Sequence, residues 1–270
     1  MKLLCEETSS LLEMLVKLSP DSSKTTLRSW LNKGRITVNG DVVKNGSTPI
    51  EKGSTVALLQ KVEKERAGIE VLYEDADVVV IEKPAGLLTV ATDRELETHA
   101  HAFIKRRHPG KKVYPVHRLD RETSGIMVFT LNEKARDNLK DQFYHHTILR
   151  EYHAKVEGKL SGKGTWKSQL IEDANYHVHA TNKGGKDAVT HYEVIKKSRH
   201  TTLLRVTLET GRKNQIRVHC AEAGHPVVGD RKYGANNSPY GRLCLHAAKL
   251  AFKHPTSGKL KLFTSRRILP

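Results

Sequence analysis

The sequence predicts an α+β protein: a small α/β unit followed by a larger domain built on a mixed, mostly antiparallel sheet. Three observations carry this. Residues 8 to about 60 show helical leucine spacing followed by a hairpin signal. A polar, charged run then covers 61–68, and beyond it alternating and β-branched segments recur between glycine-rich turns. The reading is a first domain at 1–60, a linker at 61–68 and a second domain at 69–270.

In the first domain, Ser10 and Glu13 have capping-box spacing, and Leu11, Leu12, Leu15 and Leu18 recur at helical intervals before Pro20. A second helix follows Ser22 or Ser23, with Leu27, Trp30 and Leu31 as its apolar stripe and Gly34 at its end. Ile36-Thr37-Val38 opens a strand, Asn39-Gly40 turns it, Val42-Val43 returns it, and a further strand is expected over Ser54–Leu59. In the second domain, Val78 to Ile81 reads as a buried strand ended by Lys83-Pro84-Ala85-Gly86. Leu131, Ala135, Leu139 and Phe143 are spaced by four, which predicts a helix directly after the Asp120 segment. Tyr152–Glu157, Ala188–Ile195 and Leu203–Leu208 are expected strands, separated by turns at Gly162-Lys163-Gly164 and Gly184-Gly185.

Charge narrows the partner. Lys and Arg total 46 against 30 Asp and Glu, a net +16, which fits nucleic acid or an anionic membrane surface. Residues 1–60 hold eight basic and six acidic groups, a net +2, so the remainder carries +14. The second domain is therefore the more polyanion-seeking part. Lys24, Arg28, Lys33 and Arg35 occur with no acid between them, readable equally as a phosphate-facing edge or as a solvated helix face. No apolar run has membrane-spanning length, and the N-terminus turns acidic where a signal peptide would be apolar, so a cytoplasmic protein without a membrane partner is expected. Cys5, Cys220 and Cys244 are far apart with no C-x-x-C pair, which predicts reduced thiols and no cysteine zinc site. The close pairs His99/His101, His145/His146 and His177/His179 lack a third ligand, so they read as surface or RNA-facing, with no metal and no cofactor expected. A monomer is the default.

The nine residues His117-Arg118-Leu119-Asp120-Arg121-Glu122-Thr123-Ser124-Gly125 place one carboxylate between arginines on a turn-forming segment. Alone, Asp120 reads as a turn cap. Its company changes that. The segment resembles the catalytic motif of the RluA family of RNA pseudouridine synthases, and further blocks follow in that family's order. They are Lys83-Pro84-Ala85-Gly86, Arg150 to Gly158, Thr210 to His219, Gly229-Asp230 with Tyr233, and Leu245-His246-Ala247. Leu31 to Gly40 resembles an S4 RNA-binding domain. There are departures: Ser9-Ser10 and Ser23-Lys24-Thr25 stand where S4 domains commonly carry Arg and Ser-Arg-Ser, and Asn214 stands where the family usually has His.

The resemblance implies a pseudouridine synthase domain and an isomerase that needs no cofactor. It breaks the N1–C1′ bond of uridine, turns the uracil, and joins C5 to C1′ with loss of the C5 proton. It assigns Asp120 to the reaction at C1′, by covalent attack or by abstraction of a sugar proton. Arg217 becomes the counter-cation expected in a paired contact with Asp120. Tyr152 becomes the stacking partner of the uracil, with a hydroxyl that helps remove the C5 proton. Arg118 becomes the wedge that fills the gap of a flipped nucleotide. His117 and Ile216 are expected to contact substrate, although Ile216 reads equally as core, and Lys24, Arg28 and Arg35 to contact RNA from the S4-like domain. Thr123, Ser124 and Gly125 are expected to support the loop. Large-subunit ribosomal RNA is the expected partner because an S4-like domain precedes the catalytic one. Transfer RNA, or a non-catalytic RNA-binding or ribosome-assembly role, is the alternative.

Overall fold

The computed structural model describes residues 2–32, 34–58, 68–92, 98–236 and 239–270. The chain separates into Met1–Glu65 and Arg66–Pro270. The expected linker at 61–68 lies, apart from Gly68, outside the described residues.

In the first unit, β1 (Lys2–Leu4) and β2 (Ser9–Ser10) precede α1 (Leu11–Leu18) and α2 (Lys24–Asn32). The capping box forms: the Ser10 hydroxyl accepts from the Glu13 amide, and the Glu13 carboxylate accepts from the Ser10 amide. The Ser23 hydroxyl accepts from the Thr26 amide at the start of α2. Strands β3 (Ile36–Val38) and β4 (Asp41–Val42) are joined through Asn39 and Gly40 at φ +52° and +100°, the left-handed backbone that a tight hairpin requires. After β5 (Pro49–Ile50) and β6 (Thr55–Leu58) the sheet order is β1-β6-β3-β4, with β2 paired to β5. Leu11, Leu15, Leu27, Leu31, Ile36 and Val56 fill its core.

The second unit begins with β7 (Glu70–Glu74), β8 (Val78–Lys83), α3 (Ala100–Arg107), β9 (Tyr114–Pro115), β10 (Ser124–Thr130), α4 (Glu133–Tyr144) and β11 (Leu149–Glu157). It continues with β12 (Lys163–Glu172), β13 (Val178–Thr181), β14 (Lys186–Lys197), β15 (Thr201–Leu208), α5 (Gln215–Glu222), a 3-10 turn (Arg231–Tyr233), β16 (Leu245–Lys253) and β17 (Leu260–Thr264). Eleven strands form one sheet with the path β13-β12-β14-β15-β11-β16-β10-β8-β7, β17 pairing with β16 and β9 with β10. Among the described pairs only β10 and β16 run parallel.

Strand β10 corrects one expectation, since a strand, not a helix, follows the Asp120 segment directly. All seven of its residues are buried. Ile126 and Val128 face one core with Leu139 of α4, while Met127 and Phe129 face the other with Ile104 of α3. A strand covered on both faces shows no alternation, so its period is invisible in sequence. Gly125 is obligatory: its φ is +122°, and a Cβ would run into the Ala247 carbonyl across the parallel pair. The helix expected from Leu131 is α4, which starts beyond Leu131, where the Asn132 side chain accepts from the Ala135 amide. The turn expected at Gly162 to Gly164 is shorter, because Gly164 already pairs in β12.

The expectation for the His99/His101 pair also changes. His99 is buried, and its Nδ1 accepts from the Ala102 amide to cap α3. His101 donates from Nε2 to the Val113 carbonyl and stacks on Phe129. Both rings are engaged in structural contacts, His99 buried and His101 half-buried. All three cysteines are free and buried, and burial pushes the Cys220 thiol pKa upward.

Candidate active site

Asp120 lies on the connection between β9 and β10, and the segment after β8 latches it in place. Lys83, fully buried, donates from Nζ to the carbonyls of Pro84 (3.0 Å), Leu87 (2.6 Å) and Arg121 (3.2 Å). The Gly86 amide donates to the Arg121 carbonyl, and the Arg121 Nε returns a bond to the Gly86 carbonyl. The Thr89 hydroxyl donates to the Leu119 carbonyl and accepts from the Leu119 amide. The residues on either side of Asp120 are thus held through their own backbone groups, which leaves the Asp120 carboxylate out of the latch. Burial lowers the Lys83 pKa to about 7, against the attraction of Asp120 and Glu122.

The loop is tied to β16 as well. Arg242 donates to the Ser124 hydroxyl at 2.6 Å, and that hydroxyl meets His246 Nδ1 at 2.8 Å. His246 Nε2 meets the Ser265 hydroxyl, which donates to Glu82. Burial lowers the His246 pKa to about 4, so the chain runs through a neutral imidazole.

Arg217 comes from α5, a helix that sequence periodicity did not announce because Gln215 through Cys220 are all buried. The expected contact between Arg217 and Asp120 is present as a single ion pair at 3.6 Å, not as a two-bond pair. Nε and Nη2 of Arg217 are both taken by Asp230, at 2.6 and 2.7 Å, and Nη1 lies 3.6 Å from Asp120 Oδ2 and 3.4 Å from Asn214 Oδ1. Asp230 is 1% exposed, and Gly229 before it is forced, since a Cβ there would strike the Arg242 carbonyl. Burial works against the Arg217 charge, but the Asp230 bonds outweigh it with help from Asp120, and the guanidinium pKa is raised. Asp230 was visible in sequence only as part of a block, with nothing to tie it to Arg217. Asn214 adopts φ +55° and donates to the Tyr233 hydroxyl at 2.8 Å, and the Tyr233 ring lies 5.0 Å from the Arg217 guanidinium.

Tyr152 sits on β11, just past an irregularity in its pairing with β16 between Glu151 and Tyr152. Such a bulge re-aims a side chain. Burial drives its phenol pKa up to about 12; Arg150 opposes this and Asp120 adds to it. At neutral pH the group is therefore a phenol, which cannot accept a proton without giving up its own.

Asp120, Tyr152, Arg217, Arg118 and Ile216 line one half-open pocket together with Arg212. Arg118 is exposed and Ile216 is buried. A larger groove on the outer strands, lined by Lys167, Asp187 and Val189, shares no residue with it. His117 is corrected: it is absent from the lining, accepts the Val128 amide on Nε2 at 3.0 Å and stacks on Phe143 at 4.8 Å. Burial, assisted by Arg150, lowers its pKa to about 3. Lys24, Arg28 and Arg35 belong to the first unit, where Lys24 and Arg28 are exposed one turn apart on α2 and Arg35 lies 5.6 Å from the Trp30 ring. The Lys33 side chain lies outside the described residues. Asp75, Asp77 and His254 bring ligand atoms within 4.8 Å of one another, but hydrogen bonds occupy them: Asp75 accepts from Tyr73, His254 and the Asp77 and Val78 amides.

Two solved structures share the fold over most of the chain. Human RNA pseudouridylate synthase domain containing 1 superposes with a TM-score of 0.62 at 23% identity, over 74% of this chain and 83% of that one. Human RNA pseudouridylate synthase domain containing 4 gives 0.61 at 22%, over 74% and 88%. The fold is that of the pseudouridylate synthase class. The chain belongs to the RNA pseudouridylate synthase family, whose model matches residues 77–222, and an S4 domain model matches residues 11–56. It is an isomerase. Similar proteins include ribosomal large subunit pseudouridine synthase D of Pasteurella multocida, 32% identical over 92% of this chain and 84% of the relative. The proteins of the same name from Escherichia coli K12 (31%, 91% and 83%) and Vibrio cholerae (32%, 92% and 84%) are comparable. No helix among the described residues is long and apolar enough to cross a membrane.

Proposed function

We propose that this enzyme isomerises uridine to pseudouridine in large-subunit ribosomal RNA, with Asp120 acting at C1′. The observation that carries the proposal is the placement of Asp120: 23% exposed at a pocket, 3.6 Å from a buried guanidinium whose other two nitrogens are committed to Asp230. Arg217 attracts the Asp120 carboxylate without clamping it, so the carboxylate keeps the freedom to bond to the sugar or take its proton. The relatives' names and the matching S4 domain support ribosomal RNA as substrate.

Arg118, on the rim of the same loop, enters the stack where the uridine leaves, and Ile216 gives the flipped base apolar contact. Tyr152 stacks on the uracil. Because it arrives as a phenol, it serves at the C5 proton only as a relay: it accepts that proton while passing its own to Asp120, freed when C5 has joined C1′. The label that Tyr152 took from C5 exchanges with water, Asp120 gives its proton up to water, and N1, left by the sugar, takes one from water, so the protons balance, the RNA chain stays intact and the product is an isomer of the substrate.

The test uses ribosomal RNA tritiated at uridine C5 and lacking its modifications. The expected result is tritium release without loss of RNA length, and pseudouridine at discrete positions by chemical mapping. Absence of release from every cellular RNA offered would defeat the proposal, and release from transfer RNA alone would transfer it to that substrate.

A further inference from the structure

We propose that the turn between β12 and β13 is a nucleotide-binding shelf, on which an unpaired base of the RNA beside the target uridine stacks on Tyr176, flanked by Lys213 and Lys232. The inference rests on the RNA-modifying function proposed above and adds a subsite to it.

The turn is built to hold one aromatic ring in water. Asp173 Oδ1 accepts from the Asn175 and His177 amides, both at 2.9 Å, and the Asp173 carbonyl accepts from the Tyr176 amide at 3.0 Å. Tyr176 itself has φ +60°, a conformation that non-glycine side chains rarely take, and it is 74% exposed. An aromatic residue in an unfavourable backbone state, fixed by an Asx turn and left mostly in water, gains little packing from its position.

Its surroundings fit a nucleotide. The Lys213 ammonium is 5.4 Å from the Tyr176 ring centre, and Lys232 donates to the Tyr176 carbonyl at 2.9 Å. Glu172 pairs with Lys213, which positions that lysine beside the ring. Burial, then repulsion from Lys213 and Arg217, lowers the Lys232 pKa, as expected where three cations converge. Base faces stack on aromatic rings irrespective of sequence, and lysines beside the ring meet the adjoining phosphates.

The shelf also adjoins the reaction centre. Lys232 lies 5.6 Å from the Tyr233 ring, the His177 ring lies tilted 4.9 Å from the same ring, and that ring covers Arg217 at 5.0 Å. A strand whose uridine has been flipped into the Asp120 pocket has unstacked neighbours, and the shelf offers one of them a new partner.

The experiment compares binding of two probes to the full chain by fluorescence anisotropy: an oligouridylate, and an abasic ribose-phosphate oligomer of the same length. Tyr176→Ala is expected to weaken oligouridylate binding by about tenfold, the range of one lost base–aromatic stack, with little change for the abasic probe. Tyr176→Trp restores the difference, and Lys232→Gln weakens both probes and flattens the salt dependence. Unchanged oligouridylate affinity in Tyr176→Ala, or equal loss on both probes, overturns the shelf. Tritium release by the wild type is read in parallel. Its absence alongside Tyr176-dependent binding overturns the reaction, whereas release alongside Tyr176-independent binding overturns the shelf alone.

Discussion

Two carboxylates approach the same guanidinium and are held in opposite ways. Asp230, on the turn before the 3-10 segment, is buried and makes both short bonds to Arg217. Asp120, on the loop before β10, is partly exposed and stands 3.6 Å from the one remaining nitrogen. The contrast separates two tasks that one ion pair could not perform together. A bidentate pair engages both oxygens of the carboxylate and fixes its orientation, which makes a good anchor and a poor reagent. Asp230 satisfies the buried cation, so Asp120 receives its field without its grip.

The largest effect should come from the loose partner. Asp120→Asn is expected to lower tritium release by at least about 10³-fold, the scale on which reacting groups are lost, with RNA affinity nearly unchanged by filter binding. Robust turnover by this variant would reverse the contrast and make Asp120 the structural acid. The clamped partner should behave the other way. Asp230→Asn leaves the Arg217 charge buried without its counter-ion and should cost about 3–5 kcal/mol of stability, read as a lower urea midpoint at unchanged m. A variant that unfolds like the wild type would show that the clamp anchors nothing.

How much of this was legible in the sequence depends on the distance over which the information acts. The capping box at Ser10 and Glu13 and the Asn39-Gly40 hairpin are local, and their signals survive in any context. Helix α5 and strand β10 were not legible as elements, because covering them on all sides erases the amphipathic period. Asp120, Tyr152, Arg217 and Arg118 could be named as candidates from motif blocks in family order, and they line one pocket. Their mutual geometry could not be named. The Arg217–Asp230 bonds, the burial of Lys83 and the inward packing of His117 depend on how β8, β10 and α5 meet, which no short window records.

Lys83 offers a way to sharpen the contrast through pH. Its charge sits beneath the Asp120 loop, while the Asp230 side has no comparable titrating neighbour among its hydrogen-bond partners. With a folded pKa near 7 against an ordinary 10.5, the unfolded chain binds a proton between those values that the folded chain does not. Stability should therefore rise with pH across that window, by up to about 1.4 kcal/mol per unit from this group. Turnover should fall as the pH rises through about 7, where the Lys83 ammonium, whose charge is attracted by Asp120, is lost. Lys83→Met should remove both trends, and parallel trends in rate and stability would exclude the assignment. On the same loop, Arg118→Ala should slow a uridine inside a helix by about tenfold or more, since unstacking costs a few kcal/mol, and a uridine already unpaired in a loop by less. Equal slowing of both would remove the wedge.

The smallest effect is expected at Asn214, which touches both sides of the comparison. Its Oδ1 shares Arg217 Nη1 with Asp120, and its Nδ2 supports Tyr233. It also occupies left-handed backbone at φ +55°, where Asn is tolerated and Ala costs roughly 1–2 kcal/mol. Asn214→Gly removes the side chain without that strain, whereas Asn214→Ala removes it and adds the strain. If the side chain only fills space, Asn214→Gly should keep wild-type turnover. If it restrains Nη1, freeing that nitrogen should draw the guanidinium toward Asp120, and the glycine variant should lose a few-fold in kcat at unchanged KM while Asn214→Ala loses the same factor plus stability. On the proposed role of Asp120, which is attracted without being held, tightening this one contact should slow the enzyme.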